Sequence, residues 1–259
     1  MSSPRRFLPN INLPLPGANF ITALTVVMIV VQVWLGSMAS EDGVIRGEMK
    51  SYYMALGLSW NGISQWHLWQ LITHALTHGS WFHLIVNLLM LWLVGGRVIH
   101  ILGQKKFAVI VIAGALAGGV MHVLTDYMIT SAGHPGTQLV GISGSCLALL
   151  LTLTTLSPES RMWPVPVSGK NLGLGLIMAE LFLLLMTPTL GVPVFSRMGE
   201  IIVDHGGAGL FIISHACHFG GAMAGWYLAN RLLVPRPSLA DLQRARARHE
   251  AKMELGDAG

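Results

Sequence analysis

The sequence predicts an all-α polytopic membrane protein, a six-helix bundle with a short central fourth helix and a long first outer loop. Three observations carry this reading. Only 11% of the 259 residues are charged and 53% are apolar, where a soluble domain carries about 25% charged residues. The mean hydropathy is +0.59. Six apolar segments recur along the chain, and a membrane helix needs roughly 20 such residues to cross a ~30 Å hydrocarbon core.

The six segments are 19–39, 81–102, 107–129, the short 142–156, 171–190 and 210–234. They divide the chain into an N-terminal segment 1–18, a membrane domain 19–234 and a charged tail 235–259. The third segment holds Gly114, Ala117 and Gly118, small residues that permit close helix approach. Basic residues orient the bundle. Of the sixteen lysines and arginines all but Arg46, Lys50 and Arg197 fall in the N-terminus, at the inner ends of segments two and six, in the loops following segments two and four, or in the tail. The positive-inside rule therefore places both termini in the cytoplasm, which requires an even number of spans. A cleaved signal peptide ending near 37–39 is the rival at the N-terminus, but it would spoil that even count.

Several functions are disfavoured. The net charge of +4 comes without a basic stripe and interleaved aromatics, so no nucleic-acid partner is expected. Cys146 and Cys217 match no zinc spacing and read as small packing residues. Eleven histidines occur without an H-E-x-x-H motif, so no metal and no cofactor are expected. The region between segments one and two carries Tyr52, Tyr53, Trp60, Trp66 and Trp69, with Trp81 at its edge, residues that favour the membrane–water boundary. The stretch 238–254 could form a charged helix, and a solvated tail is its plainer reading.

Segment four is short for a reason that concerns chemistry. Its fifteen residues rise about 22 Å, less than the hydrocarbon thickness, and Ser157-Pro158-Glu159 marks its inner end. Its outer end must lie below the membrane surface. The polar, glycine-containing stretch 131–138 before it is acceptable at that depth only if buried in protein or lining a hydrated cavity. Ser143, in Gly141-Ile142-Ser143-Gly144, then sits on the cavity floor. Ser143 lies about 21 Å above Ser157 and His218 about 20 Å above Arg231, so the two share a level; Asn87 lies about 9 Å below the outer end of segment two.

A serine hydroxyl needs an adjacent base to become a nucleophile. His218 can take that proton and return it to a leaving amine. The free N–H groups at the start of a helix, with side-chain donors from His83 and Asn87, can hold an oxyanion. No aspartate lies near enough in sequence to be nominated as a third member, so a Ser143–His218 dyad is expected.

At these residues the chain resembles the rhomboid family. The stretch 69–78 with His78, His83 and Asn87 looks like the family's first loop and second helix; Gly141-Ile142-Ser143-Gly144 resembles its nucleophile motif. His218-Phe219-Gly220-Gly221, continuing to Gly225, is similar to its sixth-helix pattern. The resemblance implies an intramembrane serine endopeptidase cleaving transmembrane protein substrates near the outer membrane face. It implies Ser143 as nucleophile, His218 as general base and acid, and His83, Asn87 and the Ser143 N–H as oxyanion hole. Gly221 and Gly225 are implied to bring helix six against helix four, and His78 to be structural. His215 is the rival base, but it lacks glycines at the family offsets.

The alternative is a catalytically silent rhomboid-like protein that binds membrane helices; a small transporter is a third reading. Two positions depart from the family pattern. Gln70 stands where relatives commonly have an arginine, and Leu147 where many place an aromatic residue that stacks on the histidine. Glu180, in segment five, is costly in hydrocarbon unless it faces the bundle or is protonated. The resemblance puts it beside the substrate route, where it would tune gating; a hydrogen-bonded structural role is the alternative. Chain length and the lack of transit features suggest a bacterial inner membrane.

Overall fold

The computed structural model describes residues 20–37, 47–161 and 167–233, with the single positions 243 and 246. The segment 1–18, most of the tail, the helix suggested over 238–254 and positions 38 and 39 of the candidate cleavage site lie outside the described residues.

Among the described residues ten helices longer than a 3₁₀ turn follow one another: α1 (Phe20–Gly36), α2 (Gly47–Leu56), α3 (Trp60–Ser64), α4 (Gln70–Thr73), α5 (Trp81–Leu102), α6 (Gln104–Ser131), α7 (Ser143–Leu156), α8 (Gly169–Leu185), α9 (Phe195–Asp204) and α10 (His215–Leu233). The described residues contain no strand; Leu58 and Leu139 form an isolated antiparallel bridge. The expected segments correspond to α1, α5, α6, α7, α8 and α10, an all-α bundle with a short fourth member. Among the described residues two helices, α5 and α6, are long and apolar enough to cross a membrane by length and composition, while α1 and α7 are shorter apolar helices.

Two boundaries differ from expectation. The fifth segment ends at Leu185 rather than 190, since Pro188 restricts the residue before it and cannot continue the helix. The sixth begins at His215 rather than 210. Gly206, at φ +91°, breaks the chain there, and Gly207–Phe211 forms a separate 3₁₀ turn. The amphipathic α9 between them was not foreseen.

The short helix α7 is the centre of the bundle. Its Gly144, Ser145, Cys146, Ala148, Leu149, Leu151 and Thr152 are buried, a helix apolar or satisfied on nearly every side. A Cβ added at Gly221 would overlap the Gly144 carbonyl, and one at Gly225 the Ala148 carbonyl, so α10 lies backbone to backbone on α7. On α6, a Cβ at Gly114 would come 2.6 Å from the Ala148 Cβ, and one at Gly118 would come 2.7 Å from the Cys217 oxygen. Ser145 Oγ donates to the Val111 carbonyl at 2.7 Å, and Thr152 Oγ1 lies 3.2 Å from that of Gly225. Small residues thus admit close approach, and hydroxyls satisfy carbonyls across the seams. Outside, α6 shows Val109, Ile112, Leu116, Val120 and Leu124 as an exposed apolar stripe. Such a face is a liability in water and a fit for lipid.

The first outer loop is folded rather than loose. Gln70 is fully buried, and its Nε2 donates to the carbonyls of Met54 at 3.0 Å and Ala55 at 3.4 Å. Trp69 Nε1 donates to Ala55 O at 2.8 Å and Thr73 Oγ1 to Leu56 O at 2.6 Å. These side chains from α4 satisfy the last carbonyls of α2, the groups a helix end leaves without partners. Gln70 therefore anchors the loop. Asp126 of α6, nearly fully buried, accepts from the backbone N–H of Trp60 at 2.8 Å and of Thr137 at 2.7 Å. It ties the loop and the 131–138 stretch to one helix, and its charge is offset by those donors. Trp34 packs edge-on against Tyr52 at 4.7 Å, and Trp92 Nε1 donates to Thr25 Oγ1 at 3.0 Å, fixing α1 to this assembly.

Gln70→Ala leaves those carbonyls unpaired and should lower stability by about 1–3 kcal/mol. Thermal unfolding in detergent checks this, with the exposed Gln65→Ala as the unaffected comparison. Gly225→Leu should destabilise by at least about 1–3 kcal/mol through overpacking against backbone, read in the same assay.

Candidate active site

The turn that presents Ser143 begins with Gly141, whose φ of +110° is ordinarily reserved for glycine. Its N–H donates to the His74 carbonyl at 2.8 Å, and the Leu58–Leu139 bridge holds the chain two residues earlier. The first outer loop therefore sets where α7 starts. Ser143 is the first residue of α7, and no side chain caps that end. The Ser143 N–H, in the first turn, has no intrahelical acceptor, and that of Gly144 meets the Cys217 thiol.

His218 stands in the first turn of α10. Its Nε2 lies 2.8 Å from Ser143 Oγ, hydrogen-bonding distance across 75 residues of sequence. His83 and Asn87 project one turn apart from α5, whose start is capped by Ser80 Oγ accepting from His83 N–H. Both side chains border Gly141: a Cβ there would come 2.7 Å from His83 Cε1 and 3.5 Å from Asn87 Nδ2. Asn87 Nδ2 is buried and has no hydrogen-bond partner. A buried donor without a partner is costly, and here it borders the turn that carries Ser143. The four residues singled out from sequence thus converge. Gly141 and Gly144 shape the turn, while Gly221 and Gly225 bring α10 onto α7.

Glu180 of α8 joins this cluster. Its Oε1 lies 3.0 Å from His218 Nδ1, and its Oε2 2.7 Å from His215 Nδ1. His215 is buried, and its Nε2 lies 2.7 Å from the Leu210 carbonyl. Both nitrogens of His215 are thus engaged away from Ser143. The expected Ser143–His218 pair has a further neighbour that its sequence context did not mark. A carboxylate does face the far side of His218, but it is a glutamate, 38 residues away and on another helix. In the sequence alone Glu180 reads as a gating or structural residue rather than as a partner of His218. The signal that could have found it was the lone acid in segment five, which must face a partner to be tolerated. Leu147 is half-buried, and the polar hold on the His218 ring comes from Glu180.

Glu180, His215 and His218 offer three ligand atoms within 4.8 Å of one another. Histidine and carboxylate are zinc-type donors, yet each of these atoms is already engaged in a hydrogen bond. Cys146 and Cys217 are buried free thiols, with Cys217 Sγ 2.8 Å from where a Gly144 Cβ would stand.

Compared with known proteins, residues 65–234 match the family model of the rhomboid domain. The class defined by the fold is therefore an α-helical membrane bundle, and this chain belongs to the rhomboid family. It is 31% identical over 156 residues to the mitochondrial presenilin-associated rhomboid-like protein of Bos taurus, covering 59% of this chain and 35% of that one. It is 30% identical over 179 residues to the rhomboid protease GlpG of Photorhabdus laumondii, covering 69% and 52%. The matches thus span about a third to a half of these relatives' length.

Outside the spans, the buried loop histidines give a pH signature. Burial pushes His74 down to about 4, and burial with the nearby His83 charge pushes His78 down to about 4. The unfolded chain binds protons near the ordinary value of about 6.5, so it holds more protons than the folded protein between those limits. Stability is complete above pH 6.5 and declines as pH falls from about 6.5 to about 4. Thermal midpoints in detergent should drop across that window, less steeply for His78→Gln; a midpoint that rises on acidification contradicts the assignment.

Proposed function

We propose that this rhomboid-family membrane protein is a serine endopeptidase that cleaves transmembrane protein substrates within the bilayer, near the outer face. The single observation that carries this reading is the 2.8 Å pairing of Ser143 Oγ with His218 Nε2 at an uncapped helix start bordered by the Asn87 and His83 side chains. Some relatives are named rhomboid protease, and others are named rhomboid-like.

In the reaction, Ser143 Oγ bonds to the substrate's carbonyl carbon while its proton passes to His218 Nε2. The carbonyl oxygen, now an anion, meets the Ser143 N–H, Asn87 Nδ2 and His83. On collapse, the C–N bond breaks and His218 delivers its proton to the departing amine. Water then attacks the acyl-enzyme, gives a proton to His218, and Ser143 leaves with that proton restored. A substrate helix must unwind to present its carbonyl, because helical carbonyls are already hydrogen-bonded. The lipid bilayer is the solvent of the 19–234 domain, and both termini lie in the cytoplasm by the charge distribution. The named relatives include mitochondrial and bacterial proteins, so they do not favour the bacterial inner membrane over another membrane.

A fluorophosphonate probe tests the reading. It should label the parent and not Ser143→Ala, and Asn87→Ala should slow substrate cleavage by about 10²–10³, the usual loss for one oxyanion donor. Labelling that survives Ser143→Ala overturns the nucleophile. A folded parent that never labels supports the catalytically silent, helix-binding alternative.

A further inference from the structure

The hydrogen bonds behind His218 require a definite number of protons. The Leu210 carbonyl can only accept, so His215 Nε2 carries a hydrogen. His215 Nδ1 faces Glu180 Oε2 at 2.7 Å, a contact that also requires a proton between its two atoms. Two placements satisfy this: a histidinium against a carboxylate, or a neutral histidine against a carboxylic acid. Both have zero net charge. That neutrality explains how an acid can sit in a helix that packs inside a membrane bundle, where an unpaired charge would be expensive.

The second carboxyl oxygen is then free to act as acceptor toward His218. Oε1 lies 3.0 Å from His218 Nδ1, so the single hydrogen of a neutral His218 is drawn to Nδ1. The lone pair is left on Nε2, where the Ser143 hydroxyl lies 2.8 Å away. That is the tautomer a general base needs. The opposite one would point a hydrogen at Ser143 and could not take its proton.

We propose that Glu180 is a positioning residue for the peptidase reaction, holding His218 in its Nδ1–H tautomer, and that His215 shares one proton with Glu180 to form an uncharged back support. This rests on the protease reading for its catalytic consequence, but the tautomer itself can be observed without catalysis. His215 is the carboxyl group's partner rather than a competing base. When His218 takes the Ser143 proton, the resulting imidazolium faces Glu180 Oε1, and the proton leaves again to the amine; the Glu180–His215 proton count is the same before and after.

The chemistry distinguishes substitutions that a merely structural role would not. Glu180→Gln can keep every bond: its amide N–H donates to His215 Nδ1 and its carbonyl accepts from His218 Nδ1–H. Glu180→Ala removes the acceptor and releases the tautomer. Nitrogen-15 NMR of histidine-labelled full-length protein in bilayers reads the ring protons directly. The parent and Glu180→Gln should show His218 protonated at Nδ1 and bare at Nε2, while Glu180→Ala gains the Nε2–H form. Fluorophosphonate labelling of Ser143 should stay within about tenfold of the parent for Gln and fall by about 10²–10⁴ for Ala, as when the partner of a catalytic histidine is lost.

A parent whose His218 carries its hydrogen on Nε2 overturns the proposal, and needs no variant to fold. Parent-like tautomer and labelling in a folded Glu180→Ala overturn it as well. Stoichiometric zinc in the purified protein, with ring signals that shift on chelation, overturns it by making these atoms ligands. A parent that fails to label but shows the Nδ1–H form supports the network and removes the protease reading instead.

Discussion

The approach of α10 to α7 is the contact on which the rest of the structure depends. Gly221 and Gly225 meet the Gly144 and Ala148 carbonyls with no side chain between them. Two helices that close hold their side chains in a fixed register, and His218 and Ser143 lie one turn from the seam. Dispersion and small-residue packing supply the association in lipid, where apolar burial alone does not. The 2.8 Å spacing between hydroxyl and imidazole is a consequence of where four small residues fall.

The outer half of the molecule works differently. There the chain is held by polar groups that each satisfy a named backbone partner: Gln70 on Met54 and Ala55, Asp126 on Trp60 and Thr137, and His74 O on Gly141 N–H. This network links the first loop, α6 and the entry turn of α7. It explains how non-helical backbone persists beside the packed helices, since its polar atoms are paired with protein. The left-handed turn at Gly141 is the junction between the two regimes, where the loop's hydrogen bonds position the start of the packed core.

The site combines these two supports with a third from α8. Ser143 is set by the loop and the Gly141 turn, His218 by the helix seam, and Glu180 reaches both histidines from behind. Asn87 stands opposite, its Nδ2 buried beside the Gly141 turn without a protein partner.

Much of this was legible in the sequence, because its physical signals are local or one-dimensional. Apolar length marked the helical segments, and the serine and histidine motifs marked the pair that the fold brings together. Helical rise was enough to put His218 and Ser143 at one height. Height, however, is one coordinate of three. That Glu180 faces His218 depends on the rotation of α8 about its axis. That Gln70 anchors the first loop depends on where α2 ends. That helix ten starts at His215 depends on a glycine break upstream. Tertiary packing decided these, since side-chain direction around a helix and contacts between distant segments follow from how the helices fit together and leave no periodic mark on the chain.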